Sequence, residues 1–264
     1  MYTEVDGNKT FYSTGSGKHR SDATGVVFIH GAGMDHTVWV MPARHFARHG
    51  FNVVAPDLPG HGRSVGDALA SVDAMADWIC SLLQALGMSQ AIIVGHSLGS
   101  LIALNLAARH PEYASRLALL GTSTPMPVAD SLLNAARDNS HAAIDMANTW
   151  SHSRFGQIGG NEVPGMWMTV GGERLLERAA EGVFFADLNA CNEFVNGAEL
   201  ALEVQCPSLV IIGCQDMMTT PISSRQVVAA IPDSRSIELE RCGHSMLSEK
   251  PDAVLNALKS IIQD

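Results

Sequence analysis

Six short apolar runs recur along the chain, each bounded by residues that favour turns. Runs of four to eight residues rich in Val, Ile and Leu are typical of strands buried on both faces of a parallel sheet. They are GVVFIH, FNVVAPD, AIIVG, RLALLG, SLVIIG and SIELE, at residues 25–30, 51–57, 91–95, 116–121, 208–213 and 236–240. Helical patterns lie between them, which predicts an α/β fold with a mostly parallel, doubly wound central sheet.

Three helices are predicted with clear bounds. Over residues 71–86, apolar side chains recur on one helical face, and Gly87 follows as a stop signal. Residues 98–110 are apolar nearly all round, which is expected of a helix buried against a sheet. The last helix covers residues 251–262 and begins with a proline, which the first turn tolerates.

The stretch from about residue 122 to residue 205 breaks this alternation. It is helical in character, has no clear strand, and gathers glycines and prolines around residues 156–172. We therefore expect one α/β domain with its core in residues 1–121 and 206–264, and a helical insertion in residues 122–205 that lies over one end of the sheet.

Composition and charge exclude several classes of protein. With 264 residues, 46% of them hydrophobic and only 17% charged, the chain has the composition of a folded domain and not of a disordered one. Its net charge of −10 argues against a nucleic-acid partner. The apolar stretches are too short to cross a bilayer, and the N-terminus lacks the basic and apolar regions of a signal peptide. These features predict a cytoplasmic protein without a membrane partner, and they leave its oligomeric state open.

The strongest chemical signal is GHSLG, residues 95–99, where a predicted strand meets a predicted helix. A serine at such a corner sits in a sharp turn with its hydroxyl exposed, beside the free N–H groups of the helix N-terminus. Ser97 is therefore the candidate nucleophile. The alternative is a glycine-rich turn that carries an inert serine.

A serine hydroxyl needs a base, and the base needs a carboxylate to orient it. His244 follows the last predicted strand in a polar turn, and Asp216 follows the strand before it. Either residue taken alone would be just as typical of a solvated loop as of an active site. Together they give the order Ser, Asp, His at the carboxyl ends of successive strands, which is the arrangement expected of a triad on an α/β sheet.

The loop HGAG, residues 30–33, follows the first predicted strand. Acyl transfer places negative charge on a carbonyl oxygen, which two backbone N–H groups can stabilise. Ala32 in this loop and Leu98 after the candidate nucleophile are the expected donors. A simple tight turn would also need these glycines.

In combination, these blocks resemble the α/β-hydrolase fold superfamily over nearly the whole chain, and in particular its serine esterases with a helical cap. The resemblance implies that residues 122–205 form the cap. It also implies that Ser97 separates this chain from the epoxide hydrolases and haloalkane dehalogenases of the fold, which carry an aspartate there. The matching blocks, in order, are HGAG (30–33), DLPGHGRS (57–64), GHSLG (95–99), GCQDMMTTP (213–221) and CGHSMLSEKP (242–251).

Large side chains in the insertion are candidates for a substrate pocket, namely Trp150, Met166, Trp167 and Phe184. Core packing of the insertion is the alternative role for each of them. No dinucleotide, phosphate-loop, zinc or calcium motif is present, so we expect neither a metal nor an organic cofactor.

The predicted function is that of a serine hydrolase acting on a small carboxylic ester or thioester through an acyl-enzyme. Acyl transfer, perhydrolysis or C–C bond hydrolysis would use the same residues. A small-molecule receptor with a slow or vestigial triad is the alternative outside enzymes.

Overall fold

The computed structural model describes residues 1–15, 18–20, 22–163 and 165–263. Eight strands form one sheet in the order β1-β2-β4-β3-β5-β6-β7-β8. Strand β2 is antiparallel to its two neighbours, β1 and β4, and the six strands β3 to β8 are mutually parallel. The predicted fold class is therefore confirmed. The strands are β1 (Tyr2–Val5), β2 (Asn8–Ser13), β3 (Gly25–Ile29), β4 (Asn52–Pro56), β5 (Ala91–His96), β6 (Ala114–Leu120), β7 (Ser208–Gly213) and β8 (Ser234–Leu239).

The N-terminal hairpin of β1 and β2 is absent from the sequence-based prediction. Its two-residue loop is Asp6-Gly7, and both residues have positive φ, at 49° and 78°. An Asp-Gly pair with this geometry is a recognised hairpin signal because its twist matches that of the flanking strands. The signal was in the sequence, but the prediction relied on runs of Val, Ile and Leu, which neither of these two strands contains.

Twelve α-helices are present in the described part of the chain, and the three predicted helices are among them within one residue at either end. They are α1 (Val40–Arg48), α2 (Val72–Ala85), α3 (Leu98–Arg109), α4 (Asp130–Arg137), α5 (His141–Ser151), α6 (Arg154–Gln157), α7 (Thr169–Leu176), α8 (Val183–Glu193), α9 (Gly197–Leu202), α10 (Pro221–Ala230), α11 (Met246–Glu249) and α12 (Pro251–Ile262).

Two apolar cores lie on opposite faces of the sheet. Because successive side chains of a strand point to opposite faces, β3 contributes Val27 and Ile29 to one core and Val26 and Phe28 to the other. Helices α2, α3 and α10 cover the first face, and α1 and α12 cover the second. The central strands β3 to β7 are thus buried on both sides, which explains why they are largely apolar.

Six helices, α4 to α9, fill the chain between β6 and β7, and no strand occurs there among the described residues. Their apolar side chains form a third cluster, which includes Leu132, Ala147 and Leu188. Ala32 and Met34, from the loop after β3, pack against this cluster. The insertion therefore sits on the carboxyl end of the sheet, over the loop predicted to bind an oxyanion.

Candidate active site

Ser97 is the single residue between β5 and α3, and its backbone is strained. Its φ and ψ are 56° and −123°, a conformation that residues with a side chain rarely adopt. Its N–H donates to the Leu120 carbonyl at 2.9 Å, which ties the turn to the neighbouring strand β6. The sharp turn thus occurs where GHSLG predicted it.

The two glycines of GHSLG are required by close backbone approach. A Cβ atom at Gly95 would lie 2.0 Å from the Gly99 carbonyl oxygen. A Cβ atom at Gly99 would lie 2.3 Å from the carbonyl oxygen of Ile29 in β3. Neither distance is compatible with a side chain, so the strand and the helix can meet at Ser97 only through glycine.

Asp216 and His244 form a buried hydrogen-bonded pair at the ends of β7 and β8. His244 Nδ1 donates to Asp216 Oδ2 over 2.7 Å, and the Thr219 hydroxyl donates to the same oxygen at 2.7 Å. The N–H groups of Met218 and Thr219 donate to Oδ1, both at 2.8 Å. Burial raises the pKa of the Asp216 carboxyl, but the charge and hydrogen bond of His244 and the hydrogen bonds of Thr219 outweigh it and lower the pKa. The carboxylate is therefore held ionised beside the imidazole.

Ser97 and His244 line the same cavity. With Nδ1 bound to Asp216, the free ring atom of His244 is Nε2, which is buried and has no hydrogen-bond partner among the described residues. Gly121, at the end of β6, leaves room for this ring, since a Cβ there would lie 2.9 Å from its Cε1 and Nδ1 atoms. The fold thus brings the three predicted residues to the carboxyl end of the parallel strands.

His96 supports the backbone of His244. Its Nε2 atom donates to the His244 carbonyl at 2.9 Å, and the two rings lie 5.0 Å apart between centroids. Burial, followed by the proximity of His244, lowers the pKa of His96 to about 3, so its ring is neutral at ordinary pH. A neutral ring positions the neighbouring imidazole without placing a second positive charge beside it.

Of the two predicted oxyanion donors, one follows Ser97 in the chain and the other lines the same cavity. Leu98 is the first residue of α3, where backbone N–H groups have no partner within the helix. Ala32 lies in the loop after β3 and lines the same cavity as Ser97 and His244. Within the described part of the chain, neither amide donates a backbone hydrogen bond outside the helices and strands.

The cavity at Ser97 has a volume of about 170 Å³ and is largely apolar. Trp150 and Phe184, two of the candidate pocket residues, line it together with Leu132, Leu188 and Met218. The other two candidates lie elsewhere: Met166 and Trp167 line a second cavity of about 420 Å³, which neither Ser97 nor His244 lines. Met34 lines both cavities.

One buried group of potential metal ligands among the described residues is formed by Asp35, His36 and Asp57. Protein donors already engage their side chains. His36 Nδ1 contacts Asp57 Oδ1 at 2.7 Å, and Arg178 contacts Asp35 at 2.6 Å. The side chains of the trio are therefore already engaged by one another and by Arg178.

Across the described residues, no helix has the length and apolar character needed to cross a membrane.

The profile of the Alpha/beta hydrolase family matches residues 26–257, and the chain belongs to this family. The pimeloyl-[acyl-carrier protein] methyl ester esterase of Chromobacterium violaceum is 32% identical over 87% of this chain and 91% of its own length. The (E)-2-((N-methylformamido)methylene)succinate hydrolase of Acinetobacter baylyi is 24% identical over 90% of each chain. The predicted class, a hydrolase enzyme, is thereby confirmed.

Solved structures of other proteins share the fold. The enol-lactonase from Burkholderia xenovorans LB400 superposes with a TM-score of 0.88 over the full length of both chains, at 22% sequence identity. At this identity the likeness concerns the fold alone.

Proposed function

We propose that this enzyme hydrolyses a small, neutral carboxylic ester or thioester through an acyl-enzyme on Ser97. The observation that carries the proposal is the buried pair of Asp216 and His244, joined by a 2.7 Å hydrogen bond. His244 lines the same cavity as Ser97, and its Nε2 atom has no hydrogen-bond partner among the described residues. Membership of the Alpha/beta hydrolase family and the relatives named as esterases support it.

In the first half of the reaction, Ser97 Oγ attacks the substrate carbonyl and His244 Nε2 takes its proton. Asp216 keeps the imidazole in the tautomer with the proton on Nδ1 and stabilises its charged form. The proton then passes from Nε2 to the departing alcohol or thiol. This leaves the acyl group bound to Ser97.

In the second half, His244 removes a proton from water, which attacks the acyl-enzyme and releases the acid. The carbonyl oxygen becomes negatively charged in both halves. The amides of Ala32 and Leu98 donate to it, a contribution of roughly 10²- to 10³-fold in kcat for each donor in comparable sites.

The walls of the cavity define the class of acyl group. No Lys, Arg, Asp or Glu is among its lining residues in the described part of the chain. A carboxylate buried there would have no Lys or Arg as a partner, and burying an unpaired charge is costly. The acyl group is therefore apolar and uncharged, and the insertion of residues 122–205 acts as the cap that encloses it.

The direct test is Ser97→Ala, with Ser81→Ala as a matched control on the partly exposed part of α2. We expect Ser97→Ala to lower kcat for p-nitrophenyl acetate by about 10⁶-fold. It should also abolish labelling by a fluorophosphonate, whereas Ser81→Ala should retain both. Undiminished turnover by Ser97→Ala would refute the assignment of Ser97 as the nucleophile. Tight ligand binding without turnover by the wild-type protein would instead favour a receptor.

A further inference from the structure

Asp187 links the insertion to the predicted oxyanion loop. It lies on α8, is fully buried, and its Oδ2 atom accepts two hydrogen bonds from the core. One comes from the N–H of Gly33 at 2.8 Å, and the other from His61 Nε2 at 2.8 Å. A single carboxylate oxygen of the insertion is thus bonded to the two loops that follow β3 and β4.

His61 carries the positive charge that this carboxylate requires. Its Nδ1 faces the Pro59 carbonyl at 2.9 Å and its Nε2 faces Asp187, so both ring nitrogens contact acceptors and both must carry hydrogen. The other titratable groups facing this ring are Asp57 and His30, whose ring centroid lies 4.9 Å away. The result is a buried ion pair, in which removing one partner leaves the other charge uncompensated.

The loop that Asp187 holds is a tight turn. Met34 N–H donates to the Gly31 carbonyl at 3.2 Å, so Ala32 and Gly33 are its two central residues. Gly33 has a φ of +66°, and a Cβ there would lie 2.8 Å from the Phe184 ring on α8. The turn therefore packs closely against α8, and the amide next to Ala32 is bonded to it.

We propose that Asp187 is a positioning residue for the oxyanion hole, acting through Gly33 on the turn that presents the Ala32 amide. The hole is then fully formed only when α8 is seated on the core with Asp187 between Gly33 and His61. This inference rests on the proposed function, because it assigns Ala32 the role given above.

The test is Asp187→Leu, which places an apolar side chain of similar size at this position and so removes the acceptor. We expect kcat for an ester to fall by about tenfold to a hundredfold, less than the roughly 10²- to 10³-fold loss caused by removing a donor outright. KM should change little. A thionoester of the same acid provides the second readout. Its sulfur is a weaker hydrogen-bond acceptor than oxygen, so the ratio of ester to thionoester turnover reports the oxyanion hole and should fall in Asp187→Leu.

Controls separate this role from simple stabilisation. Glu193→Gln removes a carboxylate from an exposed position on the same helix and should leave the ratio unchanged. Asp187→Asn keeps an oxygen acceptor and should restore most of kcat. Should Asp187→Leu fail to fold, Asp187→Ser replaces it, since its shorter side chain cannot contact Gly33 and His61 together.

A folded Asp187→Leu or Asp187→Ser protein with the wild-type ratio of ester to thionoester turnover would overturn the proposal, even if its total activity were lower. Failure of the proposed function is a different result. It would appear in Ser97→Ala, which would then hydrolyse the ester as fast as the wild-type enzyme does.

Discussion

The two halves of the candidate site are held in different ways. On the core side, Ser97, Asp216 and His244 stand at the ends of strands whose positions are set by backbone contacts, such as the approach of Gly99 to Ile29. On the insertion side, helix α8 contacts the core through a side chain, that of Asp187, which accepts from Gly33 and His61. Backbone constraints leave motifs in a sequence, whereas side-chain contacts between distant elements do not.

The largest expected effect is on stability, and it compares a glycine of the core, Gly99, with a glycine of the insertion, Gly171. Gly99→Ala places a Cβ 2.3 Å from a carbonyl oxygen of the core, whereas a Cβ at Gly171 in α7 has only the Trp167 Cβ within 4 Å, at 3.9 Å. We expect Gly99→Ala to destabilise the protein by about 3 kcal/mol or to prevent folding, as overpacking does. Gly171→Ala should be neutral or stabilise by up to about 1 kcal/mol, because alanine favours a helix.

Urea denaturation of the two variants measures this difference. Equal loss of stability at both positions would show that the insertion constrains its backbone as tightly as the core does, which would remove the distinction drawn above.

A smaller effect, on the preference for acyl chain length, is expected at one of two tryptophans of the insertion. Trp150 lines the cavity of Ser97, whereas Trp167 lines the second cavity and is 65% exposed. Trp150→Ala should enlarge the first cavity and raise kcat/KM for longer acyl chains relative to acetate by about tenfold, within the 1–3 kcal/mol range of pocket discrimination. Trp167→Ala is the matched control and should leave the chain-length profile unchanged.

A panel of p-nitrophenyl esters from acetate to decanoate gives the measurement. If Trp167→Ala shifted the profile and Trp150→Ala did not, the acyl group would occupy the second cavity.

The smallest expected effect is on how the free energy of unfolding depends on pH, through the pair of His61 and Asp187 that joins the two halves. Burial lowers the pKa of His61, but the charge and hydrogen bond of Asp187 outweigh it and raise the pKa above its ordinary value. A raised pKa in the folded state stabilises the protein fully below the unfolded value of about 6.5, and this contribution is lost as the pH rises through the folded value.

The difference in unfolding free energy between wild type and Asp187→Asn should therefore be largest near pH 6 and decrease towards pH 9. Urea melts of both proteins across this range provide the measurement. A difference that grew with pH would contradict an ion pair at this junction.

The sequence predicted the parts of the molecule that depend on local pattern. Six of the eight strands form apolar runs, and the residues of the candidate triad follow three of these runs. The β1–β2 hairpin was missed because its strands contain no run of Val, Ile and Leu, although Asp6-Gly7 marks its turn. Asp187 was missed for another reason: its partner His61 is 126 residues away, and nothing in the helical pattern around it distinguishes it from a solvated carboxylate.

The two cavities described above share one lining residue among the described residues. Met34 faces both compartments, and a methionine is unbranched and easily repacked. A change in the size of this side chain is therefore expected to alter the volume of both cavities. Residue 34 thus couples the shape of the cavity at Ser97 to the shape of the second cavity.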